Sequence, residues 1–328
     1  MKEDSFKFID LFAGVGGMRI PFDEIGGKCV FSSEKDHFAQ KTYFHNFGEW
    51  PHGDITEIDP ASIPDHDLII AGFPCQPFSF AGKRLGLSDS RGTLFNNIIK
   101  IMKAKLPGVV LLENVKGLIP HDKGNTLRTI LRELTNTGYK CNIPRDVIFS
   151  GSEKDLKQHA KKMVLNAKDF GVPQNRERIF IVLWRNELIK NFEYPVGSKI
   201  KTRVFDVLED LDEETRKRLT LTDQQWEYLN YKAYRANFKR KYGLINKDTA
   251  YSKTIDTHIK SQGIQLISQN NDNPRSLSVR EAARLQGFYD SFEFPVSRTQ
   301  ADKQIGNGVA IPVVREIAKK LKPWLIQK

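Results

Sequence analysis

The stretch Phe8-Ile9-Asp10-Leu11-Phe12-Ala13-Gly14-Val15-Gly16-Gly17 decides the fold. An apolar run of strand length stops on a cluster of glycines. Glycines let the backbone turn sharply and approach a ligand closely, and a helix after such a turn presents free amides. On its own the turn is as well explained by structure as by nucleotide binding. Outward from it, short apolar runs recur at 28–32, 67–72, 108–113 and 178–184, and helical patterns fit at 93–105 and 125–137. This alternation predicts an α/β fold, a doubly wound, mostly parallel sheet covered on both faces.

After Trp184 the chain turns polar and irregular. Residues 231–260 carry eight basic and two acidic residues, a net +6, with Tyr231, Tyr234, Phe238, Tyr242 and Tyr251 interleaved. That mixture predicts a small separate lobe with a basic face. A helical pattern returns at Val279, and a last helix is expected over 312–325. The expected division is therefore a first domain over 1–185, an inserted lobe over 186–275, and a segment 276–328 that completes the first domain.

The whole chain has a net charge of +11. Such a surface suits a polyanion, although an indifferent basic surface explains charge alone equally well. Cys29, Cys75 and Cys141 have no CxxC spacing, which argues against a zinc site or a disulfide framework. No metal is expected. The charged N-terminus is followed by no apolar run of membrane-spanning length and no signal peptide, so a soluble, intracellular protein is expected.

Chemistry-bearing residues cluster where strands end. Glu34 ends the second strand and could hold ribose hydroxyls; Asp54, between Gly53 and Ile55, could accept from an adenine amino group. Gly72-Phe73-Pro74-Cys75-Gln76-Pro77-Phe78-Ser79 places a cysteine between prolines at the carboxyl end of a strand, where open α/β sheets put ligands. Most free cysteines are simply small buried apolar residues, the reading given to Cys29 and Cys141. The loop beyond, with Lys83, Arg84 and Arg91, has the make-up of a lid over a phosphate backbone. Glu113, in Leu112-Glu113-Asn114-Val115, would share that sheet edge as a proton donor, or would be an N-cap or a surface carboxylate. Arg176 and Arg178, in Gln174-Asn175-Arg176-Glu177-Arg178, fall on one face under strand alternation. They read as an anion clamp, as orienters of a carboxylate, or as surface ion-pair partners.

Together these segments resemble the DNA (cytosine-5)-methyltransferases over essentially the whole chain. The ordered set is 10–17, 72–79, Glu113-Asn114-Val115, 174–178, 280–288 (Arg-Glu-Ala-Ala-Arg-Leu-Gln-Gly-Phe) and Gly306-Asn307-Gly308-Val309. The layout is similar to that of the HhaI-like members. The resemblance implies S-adenosylmethionine as methyl donor, with S-adenosylhomocysteine as product. It makes Cys75 the nucleophile, with Glu113 on ring nitrogen 3 and the amino group of the target cytosine, supported by Arg176 and Arg178. It assigns Phe12, Gly14, Gly16, Gly17, Glu34, Asp54, Ile55, Pro74, Leu94, Asn307 and Val309 to the cofactor. Gln76, Ser79, Lys83, Arg84 and Arg91 around the cysteine, and Arg240, Lys241 and Thr254 in the inserted lobe, are the residues expected on DNA. It further implies a monomer on double-stranded DNA in a bacterial cytoplasm, associated with the nucleoid and not with a membrane. A restriction endonuclease for the same site is a candidate partner. Two positions depart from the pattern: Lys35 stands where an aromatic partner for the adenine is common, and Gly308 where Ser or Ala is usual.

The residues' own chemistry agrees. Carbon 5 of cytosine is a poor nucleophile; a thiolate added at carbon 6 makes it reactive. A proton donor at ring nitrogen 3 stabilises the charge that develops. The atom is unreachable in a stacked duplex, so the base must be flipped out. The rival readings are a tRNA cytosine-5 methyltransferase, which the basic–aromatic lobe disfavours, and a non-catalytic DNA-binding relative, which the intact Cys75, Glu113 and Arg178 disfavour. An NAD-dependent oxidoreductase lacks the G-x-G-x-x-G register.

Overall fold

The computed structural model describes residues 5–73, 92–187, 189–198, 202–235, 243–255, 265–270 and 272–326. In chain order the strands are β1 Phe6–Leu11, β2 Gly27–Ser33, β3 Leu68–Gly72, β4 Val109–Val115, β5 Val164–Asn166, β6 Gln174–Asn175, β7 Glu177–Trp184, β8 Gly243–Ile245, β9 Ser252–Lys253, β10 Gln265–Ile267 and β11 Arg275–Ser276. The helices are α1 Arg19–Glu24, α2 His37–Phe47, α3 Gly92–Lys105, α4 Asn125–Thr135, α5 Arg145–Phe149, α6 Glu153–Lys161, α7 Glu213–Leu219, α8 Asp223–Arg235, α9 Val279–Gln286, α10 Arg298–Asn307 and α11 Ile311–Ile326. All five strands expected in the first half are present. β7 runs antiparallel to β4, while β1, β2, β3 and β4 pair in parallel. Each departure from the expected bounds is a residue or two at an end, where terminal hydrogen bonds are weakest.

The chain divides into two compact units, 1–165 with 177–196 and 314–328, and 166–176 with 197–313. Residues 276–313 fall in the second unit, and α11 from Val314 onward falls in the first.

The first unit is built on a six-stranded sheet in the order β2-β1-β3-β4-β7-β5. Its strands read as continuous apolar runs because both faces are covered. Ile9, Leu11, Ile69, Ala71, Val110, Leu112, Ile181 and Leu183 form one cluster with Ile98 and Met102 of α3 and Leu127, Ile130 and Leu134 of α4. The alternate residues point the other way and are equally buried. Phe8 meets Phe22 of α1 at 5.8 Å, and Trp184 meets Trp324 of α11 at 5.6 Å. Each fully buried side chain of this size contributes on the order of 1.5–3 kcal/mol.

The strand order reverses beside β1: β2 lies on one side of it and β3 on the other. In an open α/β sheet a ligand crevice lies outside the carboxyl ends of the strands at such a switch point. The glycine-rich turn leaves β1 there, and the chain toward Cys75 leaves β3 there.

In the second unit, β6 pairs in parallel with β9, and β11, β10 and β8 form a three-stranded sheet. α9 starts on a capping box between Ser278 and Glu281 and ends on Gly287 at φ 83°. Glu281, fully buried, also takes both terminal nitrogens of Arg275 at 2.8 Å. A buried carboxylate persists only when paired and hydrogen-bonded in this way.

Candidate functional site

The glycine-rich turn is held open by backbone geometry and by β2. Phe12, Gly14 and Gly16 have φ of 55°, 56° and 84°, a left-handed region that disfavours ordinary side chains. The half-buried Phe12 packs on the core from this position. The amide of Gly14 donates to Glu34 Oε2 at 2.8 Å, and Asp36 N donates to Glu34 Oε1 at 2.7 Å. Burial raises the Glu34 carboxyl above its usual value, and these two amides work against that. Gly17 is buried behind the turn. The glycines, a carboxylate at the end of the neighbouring strand and a half-buried aromatic ring together fit a nucleoside-bearing cofactor.

Asp54 and Ile55 follow on the chain. The Asp54 side chain caps a short 3-10 helix over Ile55–Glu57, accepting from Thr56 N at 3.0 Å, and Ile55 is buried. Lys35, where the family pattern puts an aromatic, donates to Asp54 Oδ2 at 2.6 Å. That hydrogen bond holds the Asp54 carboxyl below its ordinary value. Nothing local in the sequence pairs two residues nineteen apart. Leu94, half-buried, packs on the core at the start of α3. Asn307, exposed, and Val309, buried, lie in the second unit.

At the other side of the switch point, Gly72 and Glu113 are register partners on β3 and β4. A Cβ at Gly72 would stand 3.5 Å from Glu113 Oε2, so the carboxylate lies over the end of β3. Arg178 Nε, one strand further, meets Glu113 Oε1 at 3.1 Å. Both side chains are 15% exposed, shielded enough for the pair to hold one geometry. Asn114 Nδ2 donates to the carbonyl of Phe73 at 2.8 Å in a buried bond, and Asn114 Oδ1 accepts from Val115 N. The backbone is thereby anchored one residue before Pro74. In the sequence Asn114 stands only as part of a motif; its anchoring role depends on a residue 41 positions away.

The expectation that Arg176 and Arg178 share a face requires one strand to run through both. β6 ends at Asn175 and β7 starts at Glu177, so the alternation is broken at Arg176. It is 2% exposed and donates to the carbonyls of Ile255, Gly306 and Gly308 at 2.7, 2.9 and 2.5 Å. Gln174 accepts from Ile255 N and donates to the carbonyl of Leu285, and Gln286 donates to the carbonyl of Ile305. These residues knit three segments of the second unit together. Thr254 donates to the carbonyl of Asn175 at 2.7 Å.

Cys75, Pro74, Gln76, Ser79, Lys83, Arg84, Arg91, Arg240 and Lys241 lie outside the described residues. The other cysteines are informative by contrast. Burial pushes the Cys29 thiol up to about 12 and that of Cys141 up to about 11, so both stay protonated near neutrality. Among the described residues no group of three or more His, Cys, Asp or Glu is placed to hold a metal ion, and no helix is long and apolar enough to cross a membrane.

Comparison with known proteins places the chain among relatives. A family model described as C-5 cytosine-specific DNA methylase matches residues 6–323. The chain is similar to the type II methyltransferase M.DsaV of Dactylococcopsis salina, 45% identical with 99% of this chain and 88% of that protein covered. It is also similar to M.HhaI of Haemophilus parahaemolyticus, 41% identical with 95% and 93% covered. Among solved structures, the Dnmt2 methyltransferase of S. pombe is similar in fold, with a TM-score of 0.74 at 20% identity, covering 97% of this chain and 99% of that one.

Proposed function

The chain belongs to the C-5 cytosine-specific DNA methylase family, and from that premise we propose that it is a site-specific DNA (cytosine-5)-methyltransferase using S-adenosylmethionine. The observation that carries the reading is Glu113, pinned by Arg178 at 3.1 Å over the end of β3, where the chain leaves toward Cys75.

The cofactor supplies a methyl group on a sulfonium, an electrophile. Glu34 and the amides of the glycine-rich turn would hold its sugar and amino-acid ends, with Phe12 packing on it, Asp54 and Ile55 at the adenine, and Pro74 and Leu94 lining the site. Cys75 adds as thiolate to carbon 6 of a flipped-out cytosine, forming a carbon–sulfur bond and placing electron density on carbon 5. Glu113 gives a proton to ring nitrogen 3 as that charge develops, and Arg178 keeps the carboxyl aimed. With the cofactor bound, carbon 5 would take the methyl as the sulfonium–methyl bond breaks and S-adenosylhomocysteine leaves; loss of the carbon 5 proton to a base would then break the bond to Cys75 and restore the ring. With Cys29 and Cys141 held as thiols, Cys75 is the cysteine left to act as thiolate.

Arg176 orders the backbone of the second unit through its bonds to Ile255, Gly306 and Gly308. The 186–275 segment supplies target recognition. Cationic residues such as Arg240 and Lys241 bind phosphates, Thr254 lies near the bases, and Gln76, Ser79, Lys83, Arg84 and Arg91 close on the DNA. The protein acts as a monomer on cytoplasmic, nucleoid DNA, and a restriction endonuclease for the same site is its expected counterpart. The test is expression in a host lacking cytosine methylation, followed by sequencing with a methylation readout. Methylcytosine at one recurring short sequence is expected; unmodified DNA from cells containing folded protein would overturn the proposal.

A further inference from the structure

We propose that Arg19 is a positioning residue of the cofactor site, clamping the Tyr43 and Phe47 rings of α2 against Gly16 of the glycine-rich turn. This rests on the reading of that turn as the S-adenosylmethionine site.

Arg19 opens α1, three residues after Gly16, and is 7% exposed. Its Nε meets Asp23 Oδ2 at 2.8 Å. Its Nη1 donates to the Tyr43 hydroxyl at 3.0 Å and to Glu49 Oε2 at 3.2 Å, and Nη2 donates to Glu49 Oε1 at 3.4 Å. The edge of the guanidinium is thus spent on partners in α1, in α2 and just beyond α2. Its plane lies 4.3 Å from the centre of the Phe47 ring and 5.4 Å from that of Tyr43. The same rings reach the turn. A Cβ at Gly16 would stand 2.3 Å from Phe47 Cε2 and 3.2 Å from Tyr43 Cε2. Cation, aromatic pair and glycine backbone therefore pack in sequence.

A buried cation is costly unless paired, and a purely apolar side chain would fill the same space. The guanidinium adds two things such a side chain lacks. Its fork fixes Tyr43 and Glu49 directionally, and its face attracts the ring that presses on Gly16. The turn is tied to the β2–α2 region at two points, Gly14 to Glu34 and Gly16 to Phe47. The Asp36 cap of α2 lies beside the first and the Arg19 clamp holds the second, so loosening α2 slackens both. The amides that would face the cofactor then lose their fixed spacing.

The experiment uses Arg19→Lys, which keeps the charge but not the fork or the face, and Phe47→Leu, which removes the ring and strands no charge. S-adenosylhomocysteine affinity is measured by calorimetric titration, DNA affinity without cofactor by anisotropy, and the single-turnover rate at saturating cofactor. Each variant is expected to bind S-adenosylhomocysteine roughly tenfold more weakly, the scale of one desolvated cation–ring contact. DNA affinity and the saturated rate should move less than about twofold, and the double variant should lose less than the product of the singles. Ile130→Val, on the core face of α4 and away from the clamp, measures what lost stability alone does to the affinity. A folded Arg19→Lys and Phe47→Leu that both bind within about twofold of the unaltered protein would overturn the clamp. So would an equal loss in Ile130→Val. If the unaltered protein itself fails to bind S-adenosylhomocysteine, the reading of the turn falls, and the clamp with it.

Discussion

Replacing Glu113 by Gln keeps the shape at the end of β4 and removes the ionisable carboxyl, which pairs with Arg178 when charged and can hand on a proton only once protonated. The structural cost follows from the pair with Arg178 at 3.1 Å. At an effective dielectric of about 20 the gross attraction at that distance is about 5 kcal/mol. Desolvating two side chains that are each 15% exposed offsets much of it, and the amide oxygen can still accept from Arg178. A neutral hydrogen bond in place of the ion pair leaves a net loss of about 1–2 kcal/mol, a shift of a few degrees in melting temperature. The chemical cost is larger. One preorganised donor aimed at developing charge is worth about 2.7–4 kcal/mol, roughly a hundredfold to a thousandfold in rate. The assay is the single-turnover methyl-transfer rate at saturating DNA and cofactor, with DNA affinity and melting measured separately. Glu113→Gln should leave DNA binding nearly intact and lower the rate at least a hundredfold. Rates within about threefold of the unaltered protein would show that the carboxyl only braces β4 against β7, and the reasoning would fail.

DNA with 5-fluorocytosine at the target should give a complex that survives denaturation, since the fluorine cannot leave as the proton does; peptide mapping should place the adduct on Cys75, and an adduct elsewhere would refute the assignment. Cys29→Ser and Cys141→Ser should each keep methyl transfer, because burial holds both thiols protonated. Iodoacetamide near pH 8 should accordingly label Cys75 first, read by mass spectrometry; faster labelling of Cys29 would contradict its burial. Asp10, 1% exposed, is raised well above the usual carboxylate range by burial, so the folded state binds more protons than the unfolded one. Stability from this group is complete below about pH 4 and falls as pH rises toward the folded value. Asp10→Asn should therefore flatten the decline in melting temperature as pH rises above about 4, and parallel curves would count against a neutral Asp10.

The strands of the large sheet were legible because a strand buried on both faces must be apolar at nearly every position, as 68–71 and 109–112 are. The turn after β1 was legible because only glycine sits easily at the φ of Gly14 and Gly16. The ends of two apolar strands put Glu113 and the exit toward Cys75 at one sheet edge, and Gly72 and Glu113 are register partners. What periodicity could not supply was the choice of partners across the fold. It put Arg176 and Arg178 on one face, yet the strand breaks at Arg176, whose guanidinium goes to backbone carbonyls 79, 130 and 132 residues away. It could not pair Lys35 with Asp54, set Arg19 over Phe47, or turn β7 antiparallel to β4. Local sequence carries the periods of 2 and 3.6 residues that decide which face of an element is apolar. Which donor meets which acceptor depends on where whole elements come to rest, and long-range packing of the sheet and its helices sets that.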